Sequence, residues 1–269
     1  MSRATIYLAL VVALLTMLFP LYYLVAGALS SAGGGTPGTD ELLLSSPRWA
    51  NFAEVWSVAG FPRAVLNSVL VACAVTLGNL VFALMTGYIL ARRRNRISRF
   101  WSVTLLAVMM MPVHVLIIPM FVEMRVLGWI DSYAALIVPF LVHPIAVLLM
   151  RQYIAALPTE LEDAARVDGA GEMYIVFRIV APLCKPAMAV VAIQVFLVNW
   201  NLFLFPFIFT TRPEMRTLPV ALAFFQGYQE IDWPHLLAAS TLATLPILAV
   251  FLAFQRQIIS GLTAGALKE

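Results

Sequence analysis

Pro158-Thr-Glu-Leu-Glu-Asp-Ala-Ala-Arg-Val-Asp-Gly169, continuing Ala-Gly-Glu-Met-Tyr-Ile-Val-Phe-Arg-Ile179-Val-Ala-Pro182-Leu-Cys-Lys185-Pro186, is a polar, patterned stretch in a chain that is otherwise mostly apolar. Thr159 and Glu162 have the spacing of a capping box, in which each side chain satisfies a free N–H of the first helical turn. Leu161, Ala164, Ala165 and Asp168 share one face by helical spacing, with Glu160, Asp163 and Arg166 elsewhere. Glu162 and Arg166 form an i,i+4 pair in the favourable order. Gly169 supplies the permissive backbone that ends a helix. The pattern predicts a short capped helix with small alanines on its inner face, a glycine turn, and a second helix from about Glu172 to Pro182. On spacing alone this is an amphipathic connector.

Composition sets the setting for it. The 269 residues are 62% hydrophobic and 12% charged, which excludes a soluble domain. A bilayer span needs about 20 apolar residues, and six such runs are visible: 5–29, 64–91, 101–122, 133–150, 187–209 and 235–254. The expected fold is an all-α integral membrane protein with a single transmembrane domain over 1–269. A loop at 151–186 and a tail at 255–269 lie outside the spans. The first run resembles a signal peptide at Ala26-Gly-Ala28, but a signal core is roughly 7–15 residues, so a retained span is expected. Trp49, Phe52, Val55 and Trp56 suggest a short interfacial helix. Gly33-Gly34-Gly35 has no following Lys-Ser or Lys-Thr and is no phosphate loop. Pro112 and Pro119 should kink the third span, and Pro139 and Pro144 mark the fourth. Cys73 and Cys184 are expected as free thiols.

Charge gives the orientation. Twelve Lys and Arg fall in segments assigned to the cytoplasm: Arg3, Arg92, Arg93, Arg94, Arg96, Arg99, Arg151, Arg166, Arg178, Lys185, Arg256 and Lys268. Five fall outside: Arg48, Arg63, Arg125, Arg212 and Arg216. That bias puts both termini and the 151–186 loop in the cytoplasm. The Arg92–Arg99 run reads as an anchor over anionic lipid rather than a nucleic-acid site.

The span interiors contain no Asp, Glu, Lys or Arg. An ion-coupled transporter normally carries buried ionisable groups as its relay, and an intramembrane protease needs paired acids, a zinc motif or an activated serine. His114 and His143 are the histidines within the span interiors, both in proline-rich neighbourhoods. With no Gly-x-x-x-x-Gly-Lys-Ser/Thr the chain binds no ATP in the P-loop manner, and no catalytic residue or metal site is expected.

Asp163-Ala164-Ala165, three residues, Gly169, nine residues, Ile179, two residues, Pro182 resembles the EAA loop of ABC importer permeases, with Asp163 where Glu is usual and Ala181 where Leu is usual. Ala-Arg-Val-Asp-Gly-Ala is similar to the carbohydrate (maltose-type) branch. Asn199-Trp200-Asn201-Leu-Phe203 resembles a Trp-Asn-Asp-Phe patch of sugar-importer permeases, and the Gln255–Lys268 tail resembles theirs. The layout resembles the smaller of two permease subunits. The resemblance implies the type I importer fold and a coupling helix that docks on a separate ATPase. Its docking residues would be Glu162, Asp163, Ala164, Ala165, Arg166, Asp168, Gly169, Ile179 and Pro182. It implies two ATPase copies holding ATP and Mg, a second permease, an extracytoplasmic solute-binding protein and a bacterial cytoplasmic membrane. Gln194, Asn199, Asn201, Asn79, Asn67 and His114 are candidates to line a solute path, each also readable as a helix–helix hydrogen bond. The rival reading is an ion-coupled transporter or channel; within the family, a glycerophosphodiester or polyol is open as solute.

Overall fold

The computed structural model describes residues 3–31, 35–58, 60–93, 95–224 and 231–266, with side chains described to 255. Gly33, Gly34, Arg94 and Lys268, and the side chain of Arg256, lie outside the described residues. The described elements are helical throughout, and contacts divide the chain into two units: Met1–Leu66 with Arg216–Leu248, and Asn67–Met215 with Ala249–Glu269.

In the first unit, Arg3–Ala28 (α1) is one apolar helix of 26 residues. Its side chains are exposed almost to the end, where Ala26, Gly27 and Ala28 are buried. Gly27 permits a close approach, since a Cβ there would lie 2.4 Å from the Leu237 side chain. The last carbonyls of α1 need partners, and Asn51 donates to Ala28 and Ser30 at 2.9 Å each. Asn51 belongs to Ala50–Ser57 (α3), the expected short helix, which follows Thr39–Leu42 (α2) and leaves Trp49 and Trp56 exposed while burying Val55. His235 bridges Asp232 at 2.6 Å and Glu54 at 2.8 Å, and Arg48 also holds Glu54 at 2.7 Å.

Among the described residues, four helices are long and apolar enough to cross a membrane: Arg3–Ala28, Phe61–Arg92, Tyr133–Ala155 and Trp233–Gln255. Two bent pairs raise the number to six if each is one span, namely Arg96–Met109 with Val113–Val126 at 91° and Glu172–Leu183 with Lys185–Trp200 at 83°. The third span is thus broken where a kink was expected. The break falls at Pro112 alone; Pro119 sits in the first turn of Ile117–Val126 (α6), where a missing N–H costs nothing.

The fourth span is interrupted as well. Tyr133–Ile137 (α7) tightens into a 3₁₀ turn, Val138–Phe140, before Pro144–Ala155 (α8). Pro144 has no N–H, so the Phe140 carbonyl loses its helical donor. Asn79 of Phe61–Arg92 (α4) repairs this: its amide donates to Phe140 O at 2.8 Å and accepts from His143 N–H at 2.7 Å. The fifth span runs Lys185–Trp200 (α12) and stops short of the expected Phe209, which lies in Leu204–Phe209 (α13). The last helix, Trp233–Ala266 (α15), continues past the expected end at Phe254, so the backbone of the tail extends the helix.

In the second unit, the core joins Val75, Leu84 and Tyr88 of α4 to Val147, Met150 and Ile154 of α8 and to Val191 and Val195 of α12. Gly87 lets α4 and α8 meet backbone to backbone, because a Cβ there would lie 3.0 Å from Arg151 N and 2.9 Å from Met150 Cβ. At about 1.5 Å per residue α4 is roughly 48 Å long, well beyond a hydrocarbon core of about 30 Å. Its last turns carry Tyr88 and Arg92.

Candidate functional site

The helix read from the sequence is present as Glu160–Val167 (α9). Its C-terminus is closed as expected: Gly169 has φ +83°, Ala170 N–H donates to Ala165 O at 2.9 Å, and Gly169 N–H to Arg166 O at 3.1 Å. These two bonds are the 6→1 and 5→2 pair of a Schellman motif.

The N-terminus differs from the expectation. Thr159 is in helical conformation and makes no side-chain cap. Glu162, its expected capping partner, is turned inward and is 2% exposed. The reason is a stronger partner 70 residues away. Arg92 gives Glu162 Oε1 two charge-assisted bonds, 2.9 Å from Nε and 2.7 Å from Nη2, and spends a further Nη2 contact on Leu157 O at 3.1 Å. A forked guanidinium–carboxylate pair outweighs a single bond to a backbone N–H.

Tyr88 and Arg166 extend the clamp. The Tyr88 hydroxyl lies 3.2 Å from Glu162 Oε2 and 3.0 Å from Glu172 Oε2, and accepts from Arg166 Nη2 at 2.8 Å. It has one proton to donate between the two carboxylates. Arg166 donates to Asp163 at 2.8 Å and to Glu172 at 3.0 Å, and meets Glu162, its i,i+4 partner, at 3.6 Å. The hydrogen bond to Glu172 holds the Arg166 guanidinium still more firmly protonated, against a smaller opposing effect of burial. The same bond holds the Glu172 carboxyl below its usual range. A cleft of about 450 Å³ opens over this cluster, lined by Tyr88, Arg92, Arg93, Glu162, Arg166 and Glu172 among others.

With Glu162 turned in, α9 presents a different face outward from the one expected. Leu161, Ala164 and Asp168 are exposed rather than inner, Val167 is 87% exposed, and Ala165 alone of the small residues rests on the core. Asp163 points outward beside Arg166. Ala165, Asp168, Gly169, Ala170, Gly171, Tyr174 and Ile179 line a surface groove of about 610 Å³. Ile179 is half-buried and Pro182 exposed. The second helix begins at Glu172–Tyr174 (α10) as expected, but Ile175–Val180 forms a π-turn before Ala181–Leu183 (α11).

The residues expected on a solute path separate into two groups. Asn79 is 1% exposed and committed to the Phe140–His143 break, as the helix–helix hydrogen-bond reading has it. Asn67 is fully buried, donating to Glu214 O at 2.8 Å and accepting from Tyr133 Oη at 2.7 Å. Asn199 and Asn201 each donate one turn back, to Val195 O and Leu197 O, at 2.8 Å. Asn199 keeps a buried Oδ1 without a partner, while Asn201 and His114 are exposed and Gln194 is half-buried. Sequence reading missed Tyr88, Arg92 and Glu172. The available signal was the i,i+4 spacing of Tyr88 and Arg92, one helical face at the arginine-rich end of α4.

Residues 79–263 match the family described as binding-protein-dependent transport system inner membrane component. The chain is 36% identical over 259 residues to the arabinooligosaccharides transport system permease protein AraQ of Bacillus subtilis, covering 94% of this chain and 92% of that one. It is 36% identical over 211 residues to the trehalose/maltose transport system permease protein MalG of Thermococcus litoralis, covering 77% and 76%. A bacterial ABC transporter involved in the import of the acidic polysaccharide alginate shares the fold, with a TM-score of 0.81 at 22% identity over 95% of this chain and 98% of that one. A membrane-embedded helical chain with a clamped polar hairpin fits that assignment, and its members are transport components rather than enzymes. The chain therefore belongs to the inner membrane components of binding-protein-dependent transport systems, the permease subunits of ABC transporters.

Proposed function

We propose that this chain is the smaller of two permease subunits in an ATP-driven importer of a sugar or oligosaccharide, set in a bacterial cytoplasmic membrane. The observation that carries the reading is the buried Glu162–Arg92 pair, which ties α9 to the C-terminal end of α4. A helix held by a forked ion pair and closed by a Schellman turn moves as a body, so a push on α9 reaches a membrane-spanning helix. The outward face, with Leu161, Ala164, Val167 and Asp168, is the surface offered to a separate ATPase, two copies of which would hold the ATP and Mg. Small Ala164 and exposed Val167 suit close apolar docking, and Asp163, exposed and held by Arg166 at Oδ1, offers its other oxygen to a basic ATPase residue. Glu162 acts beneath that surface as the anchor.

A second permease completes the pathway, and an external solute-binding protein delivers the solute. The relatives named for arabinooligosaccharides and for trehalose/maltose support a sugar. Asn199, Asn201, Gln194 and His114 are the polar groups offered to the path, since amides and imidazole bond hydroxyls without bringing fixed charge into lipid. The test is ATP-dependent uptake by the reconstituted complex against a sugar panel, with Ala164→Trp and Val167→Glu as docking variants. Both variants should lose ATPase co-purification and uptake. Retained assembly and uptake in both, or uptake by this chain alone on an ion gradient, refutes the reading.

A further inference from the structure

On the other side of Arg93 from the clamp, α4, Arg96–Met109 (α5) and α8 frame a cleft of about 640 Å³. Arg93, Arg96, Arg99 and Arg151 line it, together with Asn95 and Ser98. Arg96 and Arg99 lie in the first turns of α5, which has no acid in its first turn. Positive side chains there add to the positive end of the helix dipole, the reverse of the stabilising arrangement. Among the described residues, Arg96, Arg99 and Arg151 make no ion pair or side-chain hydrogen bond. The nearby carboxylates Glu162, Asp163 and Glu172 are engaged by Arg92 and Arg166. Asn95 caps α5 by accepting the Ser98 N–H at 2.8 Å, but it carries no charge to offset the arginines, and an arrangement left electrostatically unbalanced suits a partner from outside. What is missing is an anion.

The surroundings say what kind. Val103 and Leu106 line the same cleft and are 57% and 53% exposed, and Phe100 and Trp101 stand exposed on the same helix. The charged end of the cleft thus passes directly into an apolar face at the level where aromatic residues gather in membranes. We infer that the cleft seats the phosphate headgroup of an anionic diacyl phospholipid among Arg96, Arg99 and Arg151, with its acyl chains along Val103 and Leu106. A soluble phosphate would satisfy the arginines but leave that apolar wall uncovered. The inference needs α5 in the bilayer and does not rest on solute import.

The test is native mass spectrometry of the purified full chain in detergent, offered phosphatidylglycerol and phosphatidylcholine of equal chain length. Phosphatidylglycerol is expected to bind in roughly tenfold excess, given a cluster of three surface arginines. Arg96→Gln/Arg99→Gln/Arg151→Gln should bring it to the phosphatidylcholine level, while the triple Lys variant keeps most of the preference. Arg63→Gln/Arg125→Gln should leave it unchanged. If the triple Gln variant does not fold, Arg151→Gln alone should still lose several-fold, its fold checked by an unchanged melting profile. Equal binding of the two lipids to wild type, or an unchanged preference in the Gln variants, overturns the site. Displacement of the lipid by millimolar glycerol 3-phosphate overturns the lipid and leaves a site for a soluble phosphate.

Discussion

Replacing Glu162 by Gln removes the charge under α9 while keeping its volume. The Glu162 side chain is 3% exposed and that of Arg92 is 14% exposed, so the change leaves a nearly buried guanidinium without its counter-charge. Breaking such a pair costs about 3–5 kcal/mol in a dry interior. Here Arg92 keeps the Leu157 carbonyl at 3.1 Å and has some access to water, which reduces the loss. We expect about 2–3 kcal/mol, or roughly 30- to 150-fold in the population of detached α9. Amide hydrogen exchange reads this directly, since the Asp168, Gly169 and Ala170 N–H groups are bonded within the turn that ends α9. Protection over 160–170 should fall by that factor, while α4 exchange stays unchanged. The control is Asp163→Asn, whose ion pair with Arg166 involves a carboxylate side chain that is 64% exposed and should change exchange less than about fivefold. Equal effects of the two substitutions, or no effect of Glu162→Gln, would show that α9 is held by packing and not by the pair.

Four further outcomes follow from the geometry. Gly87→Ala forces a Cβ against the Arg151 backbone and should cost about 1–3 kcal/mol, whereas Gly78→Ala meets only the end of Leu141 and should cost less; thermal melting in detergent ranks them. Asn79→Leu orphans the Phe140 carbonyl and the His143 N–H and should destabilise by about 1–3 kcal/mol without altering solute preference in a competition uptake assay. Gly169→Ala meets no neighbour, so its cost should be the backbone strain of φ +83° alone, about 1–2 kcal/mol in chemical denaturation. Asp131, between α6 and α7, feels burial that works to raise its pKa, but N–H groups of Arg212 and Thr211 and the Thr211 hydroxyl prevail and hold it below its usual value. A depressed carboxylate stabilises above its unfolded value near 3.9 and loses that contribution as pH falls through the folded one. The melting difference between wild type and Asp131→Ala should thus be about 1 kcal/mol at pH 7, begin to shrink near pH 4 and vanish only once the pH lies below the folded value.

Features fixed by neighbours in sequence were readable, and those fixed across the fold were not. Gly169 ends α9 because the αL cap is a property of four or five successive residues. The proline breaks were legible as breaks, but Pro112 rather than Pro119 carries the bend, because only the residue's place in a helical turn decides whether a lost N–H matters. The capping box failed because Arg92 outcompetes Thr159, and nothing within ten residues of Glu162 announces Arg92. That diversion also rotated the exposed face of α9. Asn79 read either as a pathway amide or as a helix–helix hydrogen bond, and the sequence could not name its partners because Phe140 and His143 lie more than 60 residues away.

The wide turn at Ile175–Val180 holds a surplus residue relative to an α-helix of the same length. Deleting one residue from an ordinary helix swings everything downstream by about 100°, since 3.6 residues make a turn. A deletion inside 175–180 instead restores α geometry locally, so the elbow at Cys184 and α12 beyond it keep their facing. This segment is therefore the place in the hairpin where the loss of one residue should be tolerated without rotating Asn199 on α12.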